Sequence, residues 1–436
     1  MNALSIRGVR NFHAAEEDLR SVAAGRDVPE LLELPPTLEH QSIGGLASTL
    51  QVIATWANSC SPGQRLIQLG IDSSSSDFRI SEMIDRDHIF LACLLADRIH
   101  DIEGRDLTVL FSRVLGEHHA RLDSKSQHTN SSRILSVSST GLRNSVSTLT
   151  HSSEQITSAD FRPDAAKVAA LIRPIRSTLA ESTQGWWPGG ESISSERRRA
   201  LEDDLSDLLF ELLDNIYSWG RSNWVSRGRK TALTTSLQYF RAESLDMPIS
   251  QLLAGAGEET PVETYVGQSL PNYLFGRGNR GVQYQARMVE LTFFDSGEGL
   301  AYWMAADGQP LNTYLTFNDE IRYTAAALQR GSGARDTIFF LSGQGIPRAL
   351  EAISKLGGFV HLRTGRLSLY RDFAVKPFST GEHQDADALF GTTVELRYFR
   401  DWETRTTKFT EFEPVRGTTY TVLLPVFEEL ARVRIR

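Results

Sequence analysis

The chain has 436 residues, of which 40% are hydrophobic, and these values predict a globular protein of two or three domains. Its formal net charge of −8 excludes the overall basic field that drives nonspecific binding to nucleic acid or anionic lipid. The two cysteines, Cys60 and Cys93, lack the spacing of a disulfide framework or a metal knuckle and are predicted to be buried thiols.

The N-terminal extension, residues 1–28, has no apolar run long enough for a signal peptide. No later segment approaches the roughly 18 apolar residues that a membrane span needs. We therefore expect a cytoplasmic protein that makes no contact with a membrane.

Residues 29–190 are predicted to form a small α/β regulatory or interaction domain. Short apolar runs alternate there with helical patterns, the runs being LLELPP, QRLIQLGI and LTVLF and the helices GGLASTLQVIATWA and HIFLACLLADRI. The order resembles a STAS-type domain. Residues 121–160 are rich in Ser and Thr and are either a loop-rich part of this domain or a connector, although RILSVSS within them is strand-like.

A strong helical pattern begins near Ser194, after GWWPGG at 185–190, and marks a domain boundary. Its apolar residues recur at helical spacing, and Gly220 ends it. Glu211 and Asn215 lie one turn apart on one edge of the apolar stripe. They either solvate the helix edge or serve a divalent cation, with the amide as its ligand and the acid as a base.

An apolar strand pattern stops at Asp295 and is followed at once by Gly297 and Gly299. Glycines allow a tight bend and a close approach of the backbone to a flat heterocycle. The carboxylate would accept a hydrogen bond from the exocyclic amine of that heterocycle. The alternative is an ordinary β-turn with a solvated aspartate.

A second pair of glycines, Gly343 and Gly345, precedes a helical pattern that Gly357 ends. Unpaired N–H groups and the helix dipole make such a helix start a ready phosphate site, although an ordinary helix cap has the same pattern. Two further strand patterns open with Gly-Thr, at Thr392 and at Thr418.

Together, ELLDN, DSGEG, SGQGI and a strand that begins with Gly-Thr resemble, in this order, the four sequence boxes of the GHKL superfamily of ATP-binding proteins. This group includes DNA gyrase, the heat-shock 90 chaperones, histidine kinases and the mismatch-repair ATPases. The resemblance covers roughly residues 195–400 and identifies 191–436 as a GHKL domain. It implies a Bergerat fold, an α/β sandwich in which a mixed sheet carries helices on one face and ATP binds between them.

The resemblance also assigns roles to residues. It implies that Glu211 is the catalytic base and that Asn215 binds Mg²⁺. Asp295 resembles the acid that binds adenine, with Gly297 and Gly299 shaping the turn beneath the base.

The remaining roles concern the phosphates and the far side of the adenine. Residues 330–345 resemble the ATP lid, with Gly343 and Gly345 at its phosphate-contacting end. Thr392 is similar to the threonine that supports the adenine, and Thr418 competes with it for that role.

The long separation between Asn215 and Asp295 predicts an insertion at about 222–285. No transducer segment is recognisable after the ATP module, so the lysine that such segments send to the γ-phosphate has no evident source. The expected function is therefore an ATP-driven conformational switch with slow or partner-dependent hydrolysis, acting as a homo-oligomer or on a protein partner. A role in stress or antiviral defence is a further expectation.

Other functions have weaker patterns in their favour. GRGNRG at 276–281 matches a dinucleotide-binding string but precedes a strand pattern, and no phosphate-binding loop with Gly-Lys-Ser/Thr is present. An ATP sensor without hydrolysis, or phosphotransfer to His100, His118 or His119, are the alternatives. A basic cluster with nearby tryptophans would allow contact with nucleic acid or form a solvated face, and comprises Trp219, Arg221, Trp224, Arg227, Arg229 and Lys230.

Overall fold

The computed structural model describes residues 2–6, 12–23, 29–38, 43–61, 63–71, 80, 83, 86–114, 134–140, 143–152, 203–212, 215, 236–248, 285–306, 315–328, 345–378 and 399–425. These residues form a four-stranded parallel sheet, an eight-stranded antiparallel sheet and the helices that pack on them. The fold therefore combines α-helices with two sheets of different type.

The N-terminal sheet consists of β1 (Ala3–Ser5), β2 (Leu31–Leu34), β3 (Leu66–Leu69) and β4 (Arg98–His100), paired in that order and all parallel. Its strands are connected through α1 (Phe12–Ala23), α2 (Gly45–Ser59) and α3 (Asp87–Leu95). Right-handed crossovers between sequential parallel strands place their helices on one face, and α2 contacts both α1 and α3 there.

Several predictions for this region can be compared with the structure. The runs LLEL and LIQL are strands and both helical patterns are helices, but LTVLF leads into a helix, α4 (residues 108–114). β1 and α1 come from the predicted extension 1–28 and nevertheless belong to this sheet and its helical layer. Cys60 and Cys93 are free and buried, as predicted, and burial raises the pKa of the Cys60 thiol to about 11.

The large sheet has the strand order β11-β10-β9-β12-β8-β7-β6-β5. Its strands are β5 (Ile134–Thr140), β6 (Arg143–Ser152), β7 (Ser236–Pro248), β8 (Gln285–Asp295), β9 (Phe359–Gly365), β10 (Leu367–Asp372), β11 (Arg400–Asp401) and β12 (Val415–Pro425). The two central strands β8 and β12 are antiparallel, with Asp295 opposite Thr418.

Three of the eight strands of the large sheet come from segments that the sequence analysis assigns to other parts of the protein. β5 and β6 lie in the Ser/Thr-rich segment assigned to the N-terminal domain, and β7 lies in the predicted insertion. They pair in sequence onto the edge of β8. The pairings of the described strands in this sheet are antiparallel, whereas the resemblance implies a mixed sheet.

The front face of the large sheet is the side on which Leu291, Phe293, Tyr420 and Val422 point, and it forms one hydrophobic core with four helices. These helices are α5 (residues 203–212), α6 (Leu300–Ala306), α7 (Phe317–Ala327) and α8 (Gly345–Leu356). The described residues 203–212 and Gly345–Leu356, which lie in two of the predicted helical patterns, therefore cover the central strands.

The rear face carries the alternate residues, among them Glu290, Phe294 and Arg363, and contacts α2. Helix α2 lies between the two sheets, and its residues from Gly45 to Ala57 are all buried. Phe294 shares the hydrophobic core of the N-terminal unit, so α2 joins the two sheets. Among the described residues, no helix has the length and apolar character needed to cross a membrane.

Candidate functional site

Asp295 is the last residue of β8 and is almost completely buried. Its Oδ1 accepts a hydrogen bond of 2.8 Å from the backbone N–H of Gly297, which fixes the turn after the strand. Burial raises the pKa of the Asp295 carboxyl to about 7, although hydrogen bonds from Gly297 and Thr418 and the charge of Arg416 act in the opposite direction. A buried acid with a raised pKa at a strand end is typical of a binding site.

Asn215 hydrogen-bonds a buried tyrosine on the same face of the large sheet as this acid. The Asn215 side chain donates from Nδ2 to the hydroxyl of Tyr420 at 3.2 Å. Burial raises the pKa of Tyr420, and the negative charge of Asp295 raises it further. Tyr420 thus hydrogen-bonds the Asn215 amide and lies two residues along β12 from Thr418, the residue opposite Asp295.

A pair of threonines lies beside Asp295 on the front face. Thr364 Oγ1 is 3.2 Å from Thr418 Oγ1 and accepts a hydrogen bond of 3.0 Å from the backbone N–H of Leu300. A Cβ on Gly299 would approach Thr364 Oγ1 to 2.9 Å. The turn that follows β8 is thus held against β9 and β12 by hydroxyl groups, at a contact that excludes a larger residue at position 299.

Glu211, on α5, lies against the first residue of α8. Its Oε2 would be 3.0 Å from a Cβ on Gly345, and its Oε1 accepts a hydrogen bond of 3.3 Å from Nη1 of Arg348. A carboxylate in this place is stabilised by the N-terminal end of the helix dipole. Glu211 and Asn215 are both helical and are four residues apart, the spacing at which side chains of a helix are neighbours.

The described residues contain no group of three or more His, Cys, Asp or Glu side chains that could hold a metal ion by themselves. An Mg²⁺ ion does not need such a cage, because it keeps waters and binds substrate phosphates through one or two protein oxygens. The amide nitrogen of Asn215 is engaged by Tyr420, so Oδ1 is the atom that can coordinate a cation. This arrangement fits a magnesium ion that arrives with a phosphorylated ligand.

Six of the predicted site residues are described, in three groups: Glu211 lies against Gly345 at the start of α8, Asn215 contacts Tyr420, and Asp295, Gly297 and Gly299 lie at the turn after β8. Gly343, Thr392 and most of the predicted lid lie outside the described residues. Thr418, which competes with Thr392 for one role, lies opposite Asp295 on β12.

Three further residues of this site were not found by sequence reasoning: Thr364, Tyr420 and Arg348. Tyr420 stands two residues after Thr418 and so shares its face of β12, which could have been inferred from strand alternation. Thr364 and Arg348 carry no comparable signal, because their roles depend on contacts between distant segments.

Among the residues of the alternative functions, the structure describes His100. His100 ends β4 in the N-terminal sheet. His118, His119, the GRGNRG string and the basic cluster near Arg221 fall outside the described residues.

This chain was compared with protein-family models, with curated proteins and with solved structures, and none of them matches it.

Proposed function

We propose that this protein is a Mg²⁺-dependent ATP-binding protein that hydrolyses ATP, with a Bergerat-type nucleotide domain built on the large sheet. The supporting observation is that Asn215 hydrogen-bonds Tyr420, which lies on the same face of the sheet as Asp295 and as Thr418, the residue opposite Asp295. These residues come from segments far apart in the chain, and Asn215 and Asp295 are two of those to which the GHKL resemblance assigns roles. The STAS-like character of the N-terminal unit is a second, independent part of the proposal.

In the proposed complex, the Asp295 carboxylate accepts a hydrogen bond from the exocyclic amine of adenine. Asn215 Oδ1 would hold Mg²⁺, and the ion would supply positive charge against the phosphates. The N–H groups at the start of α8 bind phosphate oxygens, favoured by the helix dipole. These three anchor points fix the base and the triphosphate at opposite ends of one ligand.

Glu211 is placed to act as the general base. It removes a proton from a water whose oxygen forms a bond to the terminal phosphorus, while the bond from that phosphorus to the bridging oxygen of ADP breaks. Ordering of a lid over residues 330–345 would turn nucleotide binding into a change at an interface with a second copy or a protein partner. A sensor that binds ATP without hydrolysis is the main alternative.

Calorimetric titration of the full chain with ATP, ADP and a non-hydrolysable analogue, with and without Mg²⁺, tests the proposal. We expect Asp295→Asn to abolish binding, because it removes the carboxylate that accepts from the amine and leaves a mispaired buried amide. Asp319→Asn is the matched control, since Asp319 lies in the exposed capping box of α7. Normal ATP affinity in Asp295→Asn would contradict the site.

Hydrolysis is tested separately from binding. Glu211→Ala should bind ATP and release no phosphate, because it lacks the group that accepts the proton from water. If Glu211→Ala releases phosphate at the wild-type rate, the enzyme proposal is wrong and the sensor alternative stands. Light scattering with and without nucleotide measures whether binding changes the oligomeric state.

A further inference from the structure

Two ion pairs join helix α5 to helix α8. Arg348 Nη1 is 3.3 Å from Glu211 Oε1, and Lys355 Nζ is 3.5 Å from Asp204 Oδ1. Arg348 and Lys355 are about two turns apart on α8, and Asp204 and Glu211 are about two turns apart on α5. The two ion pairs therefore join the same two helices at corresponding positions. They differ in their position relative to the proposed nucleotide site.

The Arg348 pair lies at the helix start and the Lys355 pair lies in the last turn of α8. Lys355 also pairs with Glu351 of its own helix at 3.4 Å, which makes its cluster a local one. The Glu211 carboxylate, in contrast, rests on the first residue of α8, with Oε2 3.0 Å from a Cβ placed on Gly345. An internal anion thus lies at the helix end that favours phosphate.

The two partners of this pair differ in exposure. The Arg348 side chain is 54% exposed, whereas the Glu211 side chain is 12% exposed. The carboxylate is therefore held in the site, and the guanidinium extends over it from the solvent side. An ion pair with so exposed a partner contributes little to stability, so the guanidinium can change partners at low cost.

Arginine has the geometry for such an exchange. Its planar guanidinium offers several N–H donors that bind two phosphate oxygens at once, and it keeps its charge at any physiological pH. Arg348 stands one turn after Gly345, on the helix whose N-terminal end would contact the phosphates. It is thus a cation supplied by the nucleotide domain itself.

We propose that Arg348 breaks its ion pair with Glu211 when a nucleoside triphosphate binds, and that its guanidinium then binds the terminal phosphate. This inference rests on the proposed ATP-binding function. Without nucleotide, Arg348 neutralises the carboxylate at the helix start. With a triphosphate bound, the guanidinium turns to the terminal phosphate, and the released Glu211 carboxylate accepts the proton of the attacking water.

The test compares Mg·ATP with Mg·ADP in titrations of the full-length protein. Arg348→Ala should weaken ATP binding about tenfold or more, because a charge-assisted hydrogen bond to the terminal phosphate is lost. The same variant should change ADP affinity by less than about twofold, since ADP lacks that phosphate. Arg348→Lys should recover part of the ATP affinity, because lysine keeps the positive charge but lacks the planar guanidinium that binds two phosphate oxygens at once.

Lys355→Ala is the matched control. It removes the equivalent ion pair between the same two helices and should leave both affinities unchanged. A loss of ATP affinity in Lys355→Ala as large as in Arg348→Ala would show that the ion pairs only hold the helices together. Equal weakening of ATP and ADP by Arg348→Ala, or no weakening, would also overturn the inference.

The exchange of partners has its own test. Glu211→Gln keeps the shape of the side chain and removes the charge that holds Arg348, so it should tighten Mg·ATP binding and leave Mg·ADP unaltered. Unchanged or weaker ATP binding would contradict the exchange. If the wild-type protein binds neither nucleotide, the proposed function falls, whereas ATP binding that Arg348→Ala leaves intact removes only the role of Arg348.

Discussion

Asp295 is the residue on which the chemistry of the site depends. Its carboxyl is buried at the end of β8, and its pKa is raised to about 7 because burial disfavours the charged form. Close to it, burial and the charge of Asp295 raise the pKa of Tyr420. A ligand that donates an N–H to Asp295 would favour the ionised acid, so binding below neutral pH should release a proton.

The raised pKa predicts how Asp295→Asn changes the pH dependence of stability. An unfolded aspartate loses its proton near pH 4, but the folded protein holds that of Asp295 to about pH 7. Between these two pH values, Asp295 carries a proton in the folded protein but not in the unfolded chain. The contribution of Asp295 to the stability of the wild-type protein therefore falls as pH rises. Asparagine does not titrate, and the thermal midpoint of the variant minus that of the wild type should increase from pH 5 to pH 8.

Differential scanning fluorimetry without nucleotide measures this difference. Asp319→Asn serves as the control, because a hydrogen bond from Thr316 lowers the pKa of Asp319 and its contribution is constant above pH 5. A difference for Asp295→Asn that is the same at every pH would show that Asp295 is ionised in the folded protein throughout this range.

At the scale of elements, the site depends on the close approach of the turn after β8 to β9 and β12. Gly299 has φ +91°, and a Cβ there would meet Thr364 Oγ1 at 2.9 Å. Gly417, at the irregularity of β12, has φ +76°, and a Cβ there would lie 1.7 Å from the carbonyl oxygen of Asp295. Glycine at both positions lets three segments meet around one carboxylate.

Gly299→Ala tests whether this contact limits the turn. Gly104 has a similar φ of +82° with open space at its Cβ position, so Gly104→Ala isolates the backbone strain. We expect Gly104→Ala to cost about 1 kcal/mol of unfolding free energy, and Gly299→Ala about 2 to 4 kcal/mol, since the clash with Thr364 adds to the strain. Urea denaturation measures both, and equal costs would mean that the turn can move away from Thr364.

Local patterns predicted the elements with strong periodicity. The helix after Gly345 was predicted because Ile346, Ala349, Leu350 and Ile353 fall on one face, and they are buried against the sheet. The five residues LTVLF were too few to separate a strand from a helix. The pairing of β6 with β7 could not be predicted either, because it joins segments almost a hundred residues apart.

The same distinction applies to the site. Asp295, Gly297 and Gly299 are adjacent in sequence, and Glu211 and Asn215 share a helix edge, so their proximity follows from local geometry. The contacts of Thr364 with Leu300 and of Asn215 with Tyr420 cross long stretches of chain. The prediction that four segments form one site came from the resemblance to a family and not from periodicity.

At the scale of the whole molecule, α1 and α2 hold the rear face of the strands that form the site. Arg363 on β9 donates to both carboxylate oxygens of Glu16 on α1, at 2.6 and 3.1 Å, and both residues are buried. Gln51 of α2 donates to the carbonyl of Arg363, and the N–H of Arg416 donates to Thr55 of α2. Thr364, the next residue after Arg363, faces the site on the opposite side of the sheet.

The two sheets should therefore unfold as one unit. Glu16→Ala leaves the buried guanidinium of Arg363 without its counter-charge and should cost about 3 to 5 kcal/mol. Because the core around α2 includes Phe294 of the large sheet, the stability lost in Glu16→Ala should affect the large sheet as well as α1. The control is Arg322→Ala, which breaks the exposed pair with Asp319 and should change stability by less than about 1 kcal/mol.

Hydrogen exchange followed by mass spectrometry shows where the stability is lost. In a single cooperative unit, the slowest amides of α2 and of β12 open with the same free energy, and Glu16→Ala lowers both by the same amount. If protection decreases in α1 and α2 while β12 keeps its wild-type value, the N-terminal unit opens independently of the large sheet. Equal losses would mean that the Glu16–Arg363 pair, on the rear face, stabilises the strands that carry Thr364 and Thr418 on the front.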